Sequence, residues 1–141
     1  MIQRPAASAV KRLLDEAQLP TSDLTDAHLA HFLAWGPERA PEGVVGLELY
    51  APVALLRSLA VASGSRGRGI GTTLLAEAER LARSQAVSEI YLLTTTAERF
   101  FARSGYERIL REAAPAAIRQ TQEFSALCPA SSAFMRKRLA A

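Results

Sequence analysis

The sequence predicts an α/β fold, a single domain over residues 1–141 in which helices flank a mixed, mostly antiparallel sheet of six or seven strands. Apolar runs with strand character alternate with segments whose apolar residues repeat at helical spacing. Two of the runs, Val53–Val61 and Glu89–Thr94, are apolar enough to be covered on both faces of a sheet. The helical segment between them is long enough for a crossover, so these two strands are predicted to be parallel neighbours.

The first half of the chain predicts two helices and three strands. Apolar residues repeat at helical spacing from Val10 to Ala17, and Pro20 prevents an easy continuation of that helix. Side chains able to cap a helix precede a short second helix, and turn clusters rich in Gly and Pro separate the apolar strands. The predicted elements are helix Ala9–Gln18, a short helix through Ala27, and strands His31–Trp35, Val44–Tyr50 and Val53–Val61.

The second half of the chain predicts three more helices and three more strands. A glycine-rich segment, Gly64 to Gly71, precedes an amphipathic helix, and Gly105 ends the helix after the next strand. The last part is predicted to contain a helix, a turn around Cys128-Pro129 and a final strand. The predicted elements are helix 72–84, strand Glu89–Thr94, helix Ala97–Arg103, strand Tyr106–Ile109, helix Pro115–Phe124 and strand Ala133–Leu139.

Composition and charge argue against several classes of protein. No apolar stretch approaches the ~20 residues of a membrane-crossing helix, and the first residues lack the apolar segment of a secretory signal, so we expect a cytoplasmic protein without membrane contact. Cys128 is the only cysteine and we interpret it as a buried, inert thiol; with His28 and His31 alone to join it, no metal site is expected. The net charge of +3 suits a polyanionic cofactor but is too small to indicate nucleic acid. We interpret the basic run 136–138 as a solvated strand edge.

The segment Arg66-Gly67-Arg68-Gly69-Ile70-Gly71 lies where a strand passes into a helix. The start of a helix presents unpaired backbone N–H groups and partial positive charge, and glycines would let a diphosphate approach them. As a bare pattern, a diphosphate site and a tight strand-to-helix turn explain the glycines equally well. A Walker A loop needs a lysine before Thr72, and a dinucleotide fingerprint needs a different glycine spacing, so neither motif matches.

Together with the residues that precede and follow it, this loop resembles a known family. Leu59-Ala60-Val61 followed by 66–75 is similar to the acyl-CoA-binding segment of the GNAT family of N-acetyltransferases, and Ala97–Tyr106 is similar to the family's second signature. The resemblance implies acetyl-CoA as cosubstrate, direct acetyl transfer to an amine, and a parallel strand pair that splays at the CoA cleft. The implied cofactor-binding residues are Leu59, Ala60, Val61, Arg66, Gly67, Arg68, Gly69, Ile70, Gly71, Thr72, Thr94 and Phe101.

A narrower resemblance rests on Leu55–Val61, Leu93–Phe101 and Glu123–Pro129, which look like segments of N-acetyltransferases associated with arsenic resistance. It implies a small, amino-acid-like amine as acceptor and a link to resistance against arsenicals or other toxic compounds. Homodimers are common among such relatives, and the sequence leaves the oligomeric state open.

This sequence departs from the family pattern at two positions. The family often protonates the departing thiolate with a tyrosine, which aligns with Phe101, and Thr94 aligns with an asparagine that contacts the cofactor. Phenylalanine cannot donate a proton. The proton then comes from water or from a hydroxyl such as Thr94, Thr95 or Tyr91, or the domain binds acyl-CoA without catalysis.

Three side chains in predicted strands are candidates for the chemistry. Glu48 is a candidate general base, acting directly or through water, and the alternative is a solvent-facing strand carboxylate. His31 is a second candidate base, with a structural role as its alternative. Arg57 lies within a buried strand, where an isolated charge is too costly, so it must bind either a substrate carboxylate or an internal Asp or Glu.

Overall fold

The computed structural model describes residues 2–139 and confirms the α/β class. Seven strands form one sheet, in the order β1-β2-β3-β4-β5-β7-β6. The strands are β1 (Ile2–Gln3), β2 (Phe32–Trp35), β3 (Gly43–Tyr50), β4 (Val53–Val61), β5 (Glu89–Thr94), β6 (Glu107–Arg108) and β7 (Ala133–Arg138). The helices are α1 (Ala7–Glu16), α2 (Asp26–Leu29), α3 (Ile70–Ser84), α4 (Glu98–Arg103) and α5 (Ala116–Arg119). Within this range, each helix is too short or too polar to span a lipid bilayer.

The strand pairing confirms the predicted parallel neighbours. β4 and β5 run parallel, with Val53 opposite Glu89 and Leu55 opposite Tyr91, so the paired register covers the first three residues of β4. The pairs β1–β2, β2–β3, β5–β7 and β6–β7 are antiparallel. Further along β4, Ser58 has a φ of 61°, a left-handed conformation that interrupts the regular extended backbone.

The chain divides into two compact units, and the first comprises the chain up to Glu48 together with Leu56–Leu81. Its core packs α1 against strands β2, β3 and β4, because the periodic apolar residues of α1 all face the same side. Gly46 lies opposite Phe32 in the β2–β3 pair, and the Phe32 ring occupies the space that a side chain at Gly46 would need. The buried residues of this core are Val10, Leu13, Leu14, Phe32, Ala34, Val44 and Ala60.

The second unit comprises Leu49–Leu55 and the chain from Ala82 onward. Its core is partly aromatic: Phe134 stacks on Tyr91 at a centroid distance of 5.6 Å and meets Phe124 edge to face at 5.3 Å. The buried residues of this core are Val53, Leu55, Tyr91, Ala114, Ile118 and Phe134.

The basic run 136–138 does not lie at a sheet edge, which corrects our interpretation. β7 lies between β5 and β6, and its cations are paired with groups of neighbouring segments. Arg136 donates to Glu107 at 2.7 Å, and Arg138 donates to Glu89 at 3.1 Å. The ammonium of Lys137 donates to the Ser104 carbonyl at 2.9 Å. Two of these contacts join β7 to adjacent strands and the third reaches the end of α4, although the Arg138 side chain is still 73% exposed.

The predicted helix Pro115–Phe124 is wrong in its second half. α5 ends at Arg119, and a separate π-helical turn spans Glu123–Leu127. The break lies at Thr121, whose hydroxyl donates to the Ile118 carbonyl at 2.8 Å and accepts from the Phe124 amide at 3.3 Å. A side chain that bonds to nearby backbone groups competes with the helical hydrogen bonds, and periodicity alone does not reveal this competition.

Ala86 provides a test of the backbone geometry after α3. It is exposed and has a φ of 63°, and the Val87 amide closes the helix end by donating to the Ala82 carbonyl at 3.0 Å. Glycine adopts this conformation without a Cβ penalty, so Ala86→Gly is expected to raise the free energy of unfolding by about 0.5–1 kcal/mol. Ala76→Gly, the same change at an exposed site inside α3, is expected to lower it by about 1 kcal/mol. Urea denaturation of both variants measures the difference, and equal losses would contradict the prediction.

Candidate functional site

Residues 66–71, which we call the glycine loop, link β4 to the start of α3 in the first unit. α3 begins at Ile70, two residues earlier than the sequence suggested, and the Gly69 carbonyl accepts from the Thr73 amide at 3.0 Å. Gly67 and Gly69 have φ values of +83° and +76°, which side chains rarely adopt. A Cβ built on either glycine meets no atom within 4 Å, so the space beside the loop is open. The first turn of α3 therefore offers backbone N–H groups to an anion that approaches through this space.

The arginines of the loop are both engaged by protein groups. Arg66 is exposed and its Nε donates to the Val61 carbonyl at 3.3 Å. Arg68 donates through Nη2 to Oε1 of Glu42, which lies in the turn between β2 and β3. The same oxygen accepts from the Ser65 hydroxyl at 3.0 Å. The loop thus carries two cations next to an open space, and one of them contacts an internal carboxylate.

The other predicted cofactor residues of the first unit lie in or beside this loop. Leu59, Ala60 and Val61 form the end of β4, with Ala60 buried and its two neighbours half-buried. Ile70 is buried, and Thr72 is exposed on the first turn of α3. This arrangement brings the end of the core strand, the glycines and the helix start together in one unit.

Arg57 lies in β4 with a completely buried side chain, and its partners are internal carboxylates. Asp23 accepts two bonds, from Nη1 at 2.5 Å and from Nη2 at 2.8 Å, and Glu48 accepts one from Nη1 at 2.8 Å. Further contacts run from Nε to the Ser58 hydroxyl at 3.1 Å and from Nη2 to the Pro20 carbonyl at 3.5 Å. A guanidinium has five N–H donors, so its one Nε and two Nη groups can make all of these contacts. The sequence left open whether Arg57 binds a substrate carboxylate or an internal Asp or Glu, and the structure shows internal carboxylates.

Glu48 is buried, so the alternative interpretation of this residue as a solvent-facing strand carboxylate is wrong. Its Oε2 binds Arg57, and its Oε1 lies 3.7 Å from His28 Nε2. The Thr25 amide donates to His28 Nδ1 at 3.2 Å as part of the capping box of α2, which assigns the proton of the neutral ring to Nε2. His28 therefore presents an N–H group toward the second oxygen of Glu48.

Asp23 completes this ionic cluster of Asp23, Glu48 and Arg57. Burial raises the pKa of Asp23, but the hydrogen bonds and the charge of Arg57 outweigh this effect and leave the pKa below its usual value. The cluster thus places one guanidinium between two buried carboxyl groups. Within residues 2–139, no group of three or more His, Cys, Asp or Glu side chains is arranged to hold a metal ion.

Sequence reasoning missed the roles of Asp23 and Glu42. In the sequence, Asp23 is one of several possible cap residues before the second helix, and Glu42 is one polar residue of a turn cluster rich in Gly and Pro. The signal for Asp23 was indirect, since a buried Arg57 requires a carboxylate from somewhere in the chain. His31, the other candidate base, is half-buried, and its backbone amide donates to the His28 carbonyl at 3.1 Å.

The second unit contains Thr94 and Phe101. The Phe101 ring is buried and packs edge to face on Phe100 and on Tyr106, at centroid distances of 5.1 and 5.7 Å. The Thr94 hydroxyl accepts from the Ala97 amide at 3.0 Å, just before α4. Each of these residues thus has a packing or capping contact within its own unit.

Two other side chains of the second unit bear on our predictions. The Tyr91 hydroxyl donates to Glu89 at 2.9 Å, and its pKa is raised by burial and then by the Glu89 carboxylate, so it releases a proton reluctantly. Cys128 is half-buried rather than fully buried, and its thiol donates to the buried Glu123 carboxylate at 3.3 Å.

Comparisons with known proteins agree with this geometry. The sequence model of the acetyltransferase (GNAT) family matches residues 6–110, which include both the glycine loop and α4. A curated relative, described as an uncharacterized N-acetyltransferase of Chlorobaculum tepidum, is 39% identical over 66 residues, covering 47% of this chain. That match covers 42% of the relative, so the chain corresponds to less than half of its length.

Solved structures share the fold at low sequence identity. N-acetylglutamate synthase from Neisseria gonorrhoeae, complexed with coenzyme A and N-acetyl-glutamate, has a TM-score of 0.84 at 20% identity. The similarity covers all of this chain and 35% of the synthase. A Mycobacterium tuberculosis protein solved in complex with CoA has a TM-score of 0.82 at 20% identity and covers 99% of both chains.

Proposed function

Because the chain belongs to the acetyltransferase (GNAT) family, we propose that it transfers an acetyl group from acetyl-CoA to the primary amine of a small molecule. The observation that carries this proposal is the glycine loop at the start of α3. Gly67 and Gly69 leave open space beside a helix N-terminus, and Arg66 and Arg68 add positive charge there. This combination suits the diphosphate of CoA.

The end of β4 provides the rest of the cofactor site in this proposal. Main-chain groups of Leu59 and Val61 pair with the pantetheine arm as an added strand would. A backbone N–H near Leu59 or Ala60 polarises the thioester carbonyl. The amine attacks the carbonyl carbon of the thioester and the C–S bond breaks. The nitrogen loses a proton and the CoA thiolate gains one. In the second unit, Thr94 and Phe101 remain predicted cofactor contacts.

We propose that Glu48 is the general base that accepts the proton from the amine, directly or through water. The support is that Glu48 is buried and lies in the same unit as the glycine loop. Arg57 binds the Oε2 of this carboxylate and holds it in one orientation, so we revise its role from substrate ligand to positioning residue.

The acceptor in this proposal is an amino-acid-like amine, and the activity contributes to resistance against arsenicals or other toxic compounds. Two observations support a small amino-acid-like acceptor. Three segments of the chain resemble arsenic-resistance-associated acetyltransferases, and the chain shares its fold with a synthase crystallised with N-acetyl-glutamate. Resistance itself rests on the first of these alone.

The test is acetyl-CoA-dependent release of free thiol with a panel of amines that includes amino acids, phosphinothricin and amino-acid-like arsenicals. We expect turnover with at least one of these acceptors. Gly69→Val places a branched side chain at a φ of +76° and in the open space, so we expect CoA affinity to fall at least about tenfold. Glu48→Gln should lower kcat and leave CoA affinity unchanged. If the unmodified protein neither binds CoA nor releases thiol, the proposal is wrong.

A second function, a non-catalytic acyl-CoA-binding domain, is favoured by one observation. Phe101 aligns with the tyrosine that the family often uses as proton donor, and its buried ring has no hydroxyl. Such a domain would bind CoA tightly without releasing thiol from acetyl-CoA in the presence of any amine. Calorimetric binding and the thiol assay, run on the same preparation, distinguish the two functions.

A further inference from the structure

A carboxylate from another segment, Glu42, contacts the glycine loop. The Glu42 carboxylate accepts hydrogen bonds through Oε1 from both Arg68 and Ser65, the latter at 3.0 Å. Since Arg68 is one of the two cations of the glycine loop, this carboxylate competes for a group that a diphosphate would also bind.

The two partners of this ion pair are held very differently. The backbone of Glu42 is fixed at both ends, because its amide donates to the Trp35 carbonyl and its carbonyl accepts from the Ala62 amide, each at 2.8 Å. Its side chain also lies over Gly36, where a built Cβ would come within 3.5 Å of Cγ and Oε2. The side chain of Arg68, in contrast, is 57% exposed. Arg68 is therefore the partner that can move away, while the carboxylate stays beside the loop.

We propose that Glu42 is an internal counter-anion that holds Arg68 while the loop is empty and is displaced from it by the CoA diphosphate. This inference rests on the proposed function. After displacement, the Glu42 carboxylate lies next to the bound diphosphate, and the repulsion between like charges weakens CoA binding. Glu42 thus keeps the loop ordered before binding and promotes the release of CoA after transfer.

The experiment measures CoA affinity of the full chain by isothermal titration calorimetry. Glu42→Gln keeps an oxygen for Ser65 but removes the charge, so it should tighten CoA binding about three- to tenfold in low salt, and less as salt screens the charges. Pantetheine, which lacks the diphosphate, should bind both proteins equally. Glu38→Gln removes the same charge from an exposed position of the same turn and should leave CoA affinity within about twofold.

A second variant tests whether Arg68 is the shared partner. Arg68→Ala should weaken CoA binding more in the Glu42→Gln background than in the unmodified protein, because in the unmodified protein the contact of Arg68 with the diphosphate is partly offset by the loss of its ion pair with Glu42. If the unmodified protein binds CoA and Glu42→Gln binds it equally or more weakly, the inference is wrong. Glu42 is then a structural support of the loop. Absence of CoA binding by the unmodified protein overturns the proposed function as well.

Discussion

Arg57→Met is expected to lower the free energy of unfolding by about 3–5 kcal/mol, the largest loss we predict for a single substitution. The guanidinium is completely buried and bonds to both Asp23 and Glu48, whose side chains are almost completely buried too. Removing the cation leaves two carboxylates in a poorly solvated site without their partner, and these must either take up protons or draw water into the core. Chemical denaturation measures the loss.

Two control variants make this prediction specific. Arg80 on α3 is 75% exposed and pairs with Glu77 at 3.2 Å, so Arg80→Met should change stability by less than about 0.5 kcal/mol. Adding Asp23→Asn and Glu48→Gln to Arg57→Met should recover part of the loss, because neutral side chains cost less to bury than unpaired carboxylates. A loss below about 1 kcal/mol for Arg57→Met alone would contradict the prediction. It would mean that water solvates the two carboxylates that have lost their partner.

Gly46→Ala is expected to destabilise the first unit by about 1–3 kcal/mol through overpacking. A Cβ at this position would lie 2.5 Å from two carbons of the Phe32 ring, and Phe32 is one of the largest buried side chains of the core. Cross-strand pairing holds the two residues opposite each other, so the ring cannot retreat without disturbing its neighbours.

The same substitution at an open site is the control for this prediction. Gly64→Ala meets nothing within 4 Å and should change the unfolding free energy by less than about 0.5 kcal/mol. Combining Gly46→Ala with Phe32→Leu should cost less than the sum of the two single changes, because the smaller side chain makes room for the methyl group. Strictly additive losses would contradict the steric explanation.

The parts of the fold that follow from local pattern were predictable from the sequence. β4 and β5 have the predicted limits because strands covered on both faces are continuous apolar runs bounded by turns. The glycine loop was predictable because a strand, closely spaced glycines and an amphipathic helix follow one another directly. The second half of the helix predicted from Pro115 was not, because one hydroxyl at Thr121 redirects the backbone there.

The partners of the site residues were harder to predict. Burial of Arg57 follows from the apolar strand around it, and so does its need for a carboxylate, but Asp23 lies 34 positions away in a loop. Nothing local distinguishes Asp23 from neighbouring cap residues, or Glu42 from the other polar residues of its turn. These pairings depend on which segments the fold brings together, and one sequence contains no direct signal of that.

The ionic cluster of Asp23, Glu48 and Arg57 also limits how this protein can evolve. Its three members come from a loop, β3 and β4, so replacing the cluster by apolar residues takes several mutations. The first of these mutations leaves a buried charge without its partner. These positions should therefore be inherited as a set. Across descendants of this chain, loss of the arginine should accompany loss of both acids, and a lineage that changes one alone should carry a compensating substitution nearby.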